Sequence, residues 1–204
     1  MPATWPGRAA SLPALADDAA RGPRLQVLVA YGGLMAAHTA LRLVPAQGVP
    51  VFWDPAGDYG REGNGLDPRW GPYDEHVTRR RDLIVSAPPD LTTYTRFRWG
   101  LLDVGLEVFE WDLSAAHAEE LRRVLLEGTT PAHPAGAFTT LAPLAFCTVV
   151  TADFLGRFAD PTRGLRGFYF FPDSLARQLY GRAPSRVILF RPEQEPRVYA
   201  PPTR

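Results

Sequence analysis

Runs of apolar and β-branched residues predict strands in the first part of the chain. Residues 24–31, RLQVLVAY, fit a strand, and the glycine pair after them marks a turn. The alternation over residues 35–44 predicts a second strand. A further turn at Gln47 and Gly48 leads into VPVFWDP, a short third strand. Three strands joined by tight turns predict an antiparallel meander.

The later part of the chain mixes strand and helix patterns. Residues 106–113, LEVFEWDL, largely alternate between apolar and polar residues and predict a strand, and residues 185–192 predict the last one. Ser114 caps a predicted helix, SAAHAEELRRVLLEG, whose apolar residues form one stripe. A Thr pair followed by proline predicts a helix over residues 139–158, and Pro172 opens a short one.

These elements predict an α+β fold in which an antiparallel sheet packs against a cysteine-bearing helix. Residues 56–71 are predicted to form a long surface loop, and residues 72–85 a further helix. Residues 1–23, rich in Ala, Pro and Arg, predict an irregular N-terminal arm. Residues 24–204 are then a single domain, since 204 residues suffice for one core.

Composition narrows the function classes. With 22 basic and 22 acidic residues the net charge is zero, so bulk charge indicates no nucleic-acid partner. The single cysteine excludes an internal disulfide framework and a cysteine zinc site. Four scattered histidines lack ligand-like spacing, so no metal and no cofactor is predicted.

The N-terminal segment lacks the continuous apolar core of a secretory signal. No stretch reaches the roughly 18 apolar residues of a membrane-spanning helix. The sequence therefore predicts no transmembrane segment and a cytoplasmic protein, with export without a cleavable signal left open.

The candidate chemistry begins with Cys147, which is predicted to lie near the start of its helix. The free amides and dipole of a helix start favour a thiolate, although a lone cysteine on an apolar helix is also a common buried hydrophobe. A cysteine nucleophile needs a nearby base. His38 is the best candidate because it sits mid-strand among small residues. The alternative is a core histidine bonded to a backbone carbonyl.

Asp54, on the next predicted strand, is the candidate to orient His38. A carboxylate there would fix the tautomer and favour the imidazolium. The equal alternative is a turn, since the sequence continues Asp-Pro-Ala-Gly. Tyr31 could offer a hydroxyl to an oxyanion, and the backbone N–H of Cys147 is the more reliable donor.

Three short motifs together resemble the circularly permuted papain-like hydrolases, relatives of NlpC-type cysteine peptidases and of the lecithin–retinol acyltransferase group. They are AAHTALRL, VFWDPAG and the Phe-Cys-Thr of the late helix, within residues 25–180. The resemblance implies Cys147 as nucleophile, His38 as general base and Asp54 as orienting residue. Phe146 stands where many members have asparagine, and with Tyr31 it is assigned to the oxyanion and substrate side. The second histidine of the acyltransferases has no counterpart at residues 51–53.

Two functions follow as hypotheses. The first is a cysteine hydrolase or acyltransferase that forms an acyl-enzyme with an amide, ester or thioester. Its substrate would be a small molecule, a peptide, a peptidoglycan-like amide or a lipid, and the protein could be a delivered bacterial effector. The second is a non-catalytic interaction protein on the same fold, whose aromatic segments contact a protein partner. Fast reaction of Cys147 with iodoacetamide would favour the first.

Overall fold

A computed structural model describes residues 7–9, 21–31, 38–55, 83–84, 105–127, 147–165, 172–190 and 197–199. The strands in this part of the chain are β1 (Gly7–Ala9), β2 (Arg24–Tyr31), β3 (His38–Val44), β4 (Val51–Trp53), β5 (Leu83–Ile84), β6 (Gly105–Asp112), β7 (Arg186–Phe190) and β8 (Arg197–Tyr199). The helices are α1 (Ala115–Glu127), α2 (Cys147–Phe158) and α3 (Pro172–Tyr180), and a 3₁₀ turn, Asp160–Thr162, follows α2.

The strands form one sheet in the order β1-β8-β7-β6-β2-β3-β4-β5. Every neighbouring pair is antiparallel. The predicted α+β class and antiparallel sheet are therefore confirmed, and β2, β3 and β4 follow one another in the sheet as the meander predicts. The long strand β2 lies at the centre, between β3 and β6.

Two elements differ from the sequence prediction. The helix predicted over residues 72–85 is wrong at its end, because Leu83 and Ile84 form β5 and pair with Trp53 and Phe52 of β4. Pairing satisfies the free backbone groups of β4, which outweighs the local helical pattern. The predicted irregular arm, residues 1–23, contributes β1, which pairs with β8. The predicted loop over residues 56–71 lies outside the described residues.

The helices cover one face of the sheet. Alternate residues of β2, such as Leu25, Val27 and Val29, point into a core shared with all three helices. Helix α1 contributes the predicted apolar stripe, and Ser114 caps it by accepting the His117 backbone N–H at 3.2 Å. The stripe residues, all buried, are Ala118, Leu121, Val124 and Leu125.

Helix α2 is fixed at its far end by a close backbone contact. A Cβ on Gly156 would lie 2.1 Å from the carbonyl oxygen of Leu165, so only glycine fits there. The chain turns back after the helix, and the Gly164 N–H donates to the Gly156 carbonyl at 2.9 Å. On the sheet side, Phe154 meets Trp53 edge-on, with ring centroids 5.7 Å apart. These contacts hold α2 against the sheet, and its first turn then lies beside β3.

Candidate active site

The sheet register brings His38 and Asp54 together. Leu41 pairs with Trp53, so Asp54, one residue further along, continues past β4 beside the start of β3. His38 Nε2 lies 2.7 Å from Asp54 Oδ1. His38 is 8% exposed and Asp54 is fully buried, so this hydrogen bond is shielded from water and is stronger than a surface bond.

Cys147 is the first residue of α2, and its thiol reaches the start of β3. The side chain of His38 and the backbone N–H of Thr39 lie near enough to the sulfur to lower the pKa of the thiol. Successive side chains of a strand point to opposite faces of the sheet. Because the Cys147 sulfur is near both the His38 side chain and the Thr39 backbone, it lies beside the edge of β3 and not over one face. Strand β4 pairs with β3 only from Leu41 to Leu43. His38 and Thr39 lie before this paired segment.

The environment of Cys147 favours the thiolate. Burial alone would raise the pKa of this thiol. The hydrogen bond and charge of His38, the Thr39 N–H and the Thr148 hydroxyl oppose that effect and lower the pKa of Cys147 to about 7. A thiol with this pKa is about half ionised at neutral pH, whereas a free cysteine, with a pKa of about 8.5, is a few per cent ionised.

The three side chains form a linear chain, from sulfur to imidazole to carboxylate. Because Nε2 of His38 is bonded to Asp54, the ring nitrogen that remains for the thiol is Nδ1. An imidazole held in this way can accept the thiol proton and remain beside a carboxylate that stabilises its positive charge. Chemically, such a series meets the requirements of an activated nucleophile with a base and an orienting group.

Two threonines complete the surroundings of the sulfur. Thr148 Oγ1 lies 3.8 Å from Cys147 Sγ, and Thr39 Oγ1 lies 3.1 Å from Thr148 Oγ1. Both threonines are fully buried. Neither threonine is predicted as a site residue from the sequence. A signal was present, since His38 and Cys147 are each followed directly by threonine.

The remaining predicted site residues are not placed. Tyr31 ends β2, opposite Gly105, but its side chain lies outside the described part of the chain, as does all of Phe146. His117 lies on α1 with Nδ1 3.4 Å from the carboxylate of Asp160, which follows the far end of α2 from Cys147. Within the described residues, no group of three or more His, Cys, Asp or Glu side chains could hold a metal ion.

A second buried polar group, which the sequence analysis also missed, crosses the centre of the sheet. Directly opposed residues of four adjacent strands form a row: Arg186, Glu110, Gln26 and Arg42. Arg186 donates two hydrogen bonds to the Glu110 carboxylate, at 2.7 and 3.1 Å. Gln26 donates to Glu110 at 2.7 Å and accepts from Arg42 at 3.0 Å. We call these four residues the polar row.

Glu110 of the polar row is ionised. Its burial opposes ionisation, but hydrogen bonds and charge from Arg186, the Gln26 amide and the charge of Arg21 hold the pKa of Glu110 below its usual value. The Glu110 carboxylate is fully buried, and the donors around it explain how it stays charged.

No protein-family model matches this chain, and no curated protein or solved structure matches it either. Of the helices in the described residues, none has the length and apolar character needed to cross a membrane.

Proposed function

We propose that this protein is a cysteine hydrolase or acyltransferase, with Cys147 as nucleophile, His38 as general base and Asp54 as the residue that orients His38. The observation that supports this most directly is the continuous contact from Cys147 to His38 to Asp54, with the pKa of Cys147 lowered to about 7. Perturbed ionisation of a nucleophile beside a positioned base is typical of functional sites.

In the proposed reaction, the Cys147 thiolate attacks the carbonyl carbon of an amide, ester or thioester. A sulfur–carbon bond forms, and the carbonyl oxygen becomes an oxyanion near the start of α2, where the Cys147 backbone N–H is the proposed donor. The bond to the leaving group then breaks, and the His38 imidazolium gives that group its proton. Water or another acceptor attacks the acyl-enzyme, transfers its proton to His38 and releases Cys147.

The resemblance to the circularly permuted papain-like hydrolases is part of this proposal. An early strand supplies His38, the following strand leads to Asp54, and a later helix begins with Cys147, which is the element order of that group. Peptides, peptidoglycan-like amides and lipid esters are the substrate classes that the proposal includes, with the protein acting in the cytoplasm or as an effector exported without a cleavable signal.

Acyl transfer to the thiol tests the proposal without knowledge of the natural substrate. We expect the protein incubated with p-nitrophenyl acetate to release a burst of nitrophenolate and to carry one acetyl group on Cys147, seen by peptide mass spectrometry. Cys147→Ser should remove the acetylated peptide and lower turnover on the order of a thousandfold. His38→Ala should slow the burst strongly, since the base is lost.

His117→Ala is the matched control, because this histidine also neighbours a carboxylate but lies away from Cys147 in the fold. It should leave the burst unchanged. A native protein that is never acetylated on Cys147, or a Cys147→Ser variant with native turnover, would contradict the hydrolase proposal and favour the non-catalytic interaction protein.

A further inference from the structure

Two buried hydroxyl groups lie near the Cys147 sulfur, where β3 and α2 meet. Thr39, from β3, and Thr148, from α2, are directly hydrogen-bonded at 3.1 Å, and Thr148 also contacts the sulfur at 3.8 Å. Both residues are fully buried. Buried hydroxyl groups need hydrogen-bond partners, and this bond supplies an acceptor to one threonine and a donor to the other.

We propose that Thr39 and Thr148 are positioning residues, whose hydroxyls form an ordered chain that ends on the Cys147 sulfur and holds it where His38 reaches it. The catalytic meaning of this chain rests on the proposed function, because it prepares the nucleophile of that reaction. The chain also joins β3, which carries the base, to α2, which carries the nucleophile.

The direction of the hydrogen bonds follows from the chemistry of the sulfur. A thiolate can only accept hydrogen bonds, and each hydroxyl has one proton to donate. In the ionised site Thr148 therefore donates to Cys147 and accepts from Thr39, so Thr39 supports the thiolate through Thr148. The backbone N–H of Thr39 also reaches the sulfur, and a side-chain substitution at Thr39 leaves that N–H in place.

The charged groups around this sulfur in the described residues are His38, from β3, and Asp54, which follows β4. Neither is altered by a substitution at Thr39 or Thr148. A change in the ionisation of Cys147 after such a substitution is therefore assigned to the lost hydroxyl, provided that the fold is retained.

The test is the pH dependence of the rate at which iodoacetamide alkylates Cys147, which reports the thiolate fraction. The native midpoint should lie near pH 7. Thr148→Val should raise it by about half a pH unit or more, roughly a threefold loss of thiolate below the midpoint. Thr39→Val should raise it less, Thr148→Ser should restore it, and the double valine variant should resemble Thr148→Val alone.

Two other buried threonines of the same region serve as controls. Thr151→Val removes a buried hydroxyl from α2 that has no hydrogen-bond partner among the described residues. Thr162→Val removes one that donates to the Leu155 and Ala159 carbonyls. Thr162→Val should lower the melting temperature, and neither variant should move the alkylation midpoint.

An unchanged midpoint in Thr148→Val would overturn the proposal, as would an equal shift in Thr151→Val. If Thr148→Val does not fold, Thr39→Val provides the same test from the strand, where an unchanged midpoint has the same meaning. The alkylation readout is independent of turnover. A Cys147→Ser variant with native turnover refutes the proposed function alone, and a Thr148→Val variant with a native midpoint refutes the hydroxyl chain alone.

Discussion

Strand β3 carries two buried polar residues on one face, and they belong to different kinds of cluster. His38 joins Cys147 and Asp54 at the start of the strand, whereas Arg42 joins the polar row four residues later. At about 3.3 Å per residue, the two positions are roughly 13 Å apart. Both clusters contain a fully buried carboxylate, Asp54 or Glu110, and a group whose pKa is lowered by its neighbours.

The arrangement of donors separates the two clusters. In the polar row, the ionised group is a carboxylate that accepts bonds from Arg186, Gln26 and Arg21. In the candidate site, the ionisable group is a thiol at a helix start, and its imidazole partner can exchange a proton with it. Burial and a shifted pKa therefore do not mark an active site by themselves. The candidate site differs from the polar row in placing a nucleophile next to a proton acceptor.

The largest effect that this comparison predicts is on folding. Glu110→Ala should lower the free energy of unfolding by about 3–5 kcal/mol, because it leaves the buried Arg24 and the largely buried Arg186 without the carboxylate that they pair with. Chemical denaturation measures this loss. The alkylation midpoint of Cys147 should stay near pH 7, since the described neighbours that lower the pKa of the thiol are His38, Thr39 and Thr148, none of which belongs to the polar row.

Glu119→Ala is the control for that substitution. Glu119 is an exposed acid that accepts a bond from Arg122 at 3.2 Å within α1, and such a pair contributes about 1 kcal/mol or less. If the alkylation midpoint moves in Glu110→Ala but not in Glu119→Ala, the polar row and the candidate site are coupled, and they are not the two separate clusters described above.

The next effect is on chemistry. Asp54→Asn should reduce turnover on the order of a hundredfold, because a neutral amide no longer favours the imidazolium form of His38. With that charge less favoured, the thiolate is also less favoured, so the alkylation midpoint should move to higher pH. Steady-state turnover and the alkylation profile measure the two consequences together.

Asp160→Asn provides the matched control for Asp54→Asn. Asp160 is exposed and pairs with His117, a second histidine–carboxylate contact on the molecule. Its removal should change neither turnover nor the alkylation profile. Equal losses in both variants would mean that the Asp54 effect is not specific to the candidate site.

The sequence predicts the local elements and the candidate triad because both depend on short patterns. The strand β6 largely alternates between apolar and polar residues, and Ser114 caps α1. His38 begins one strand of a meander and Asp54 directly follows the next. The resemblance to the permuted papain-like hydrolases predicts that Cys147 lies near His38. The spacing of the two residues in the sequence does not by itself predict this.

The polar row could not be predicted in this way. Arg24 and Gln26 alternate with Leu25 and Val27 along β2, which is the usual pattern of a strand with one solvent face. Both polar residues are nevertheless buried. Their cross-strand partners are Glu110 on β6 and Arg42 on β3, and only the register of the sheet specifies those partners.

The smallest predicted effect distinguishes what a bridging side chain does in each cluster. Gln26 links Glu110 to Arg42, at 2.7 and 3.0 Å, much as Thr148 links Thr39 to the sulfur. Gln26→Leu should lower the free energy of unfolding by about 1–3 kcal/mol, the cost of leaving buried polar groups short of a hydrogen bond. The loss should be smaller than in Glu110→Ala, since Arg186 still binds the carboxylate. Chemical denaturation should detect the Gln26→Leu change, and the alkylation profile should stay unchanged. For Thr148→Val we expect a shift in the alkylation profile instead. A Gln26→Leu protein with native stability would mean that the bridge in the polar row is dispensable.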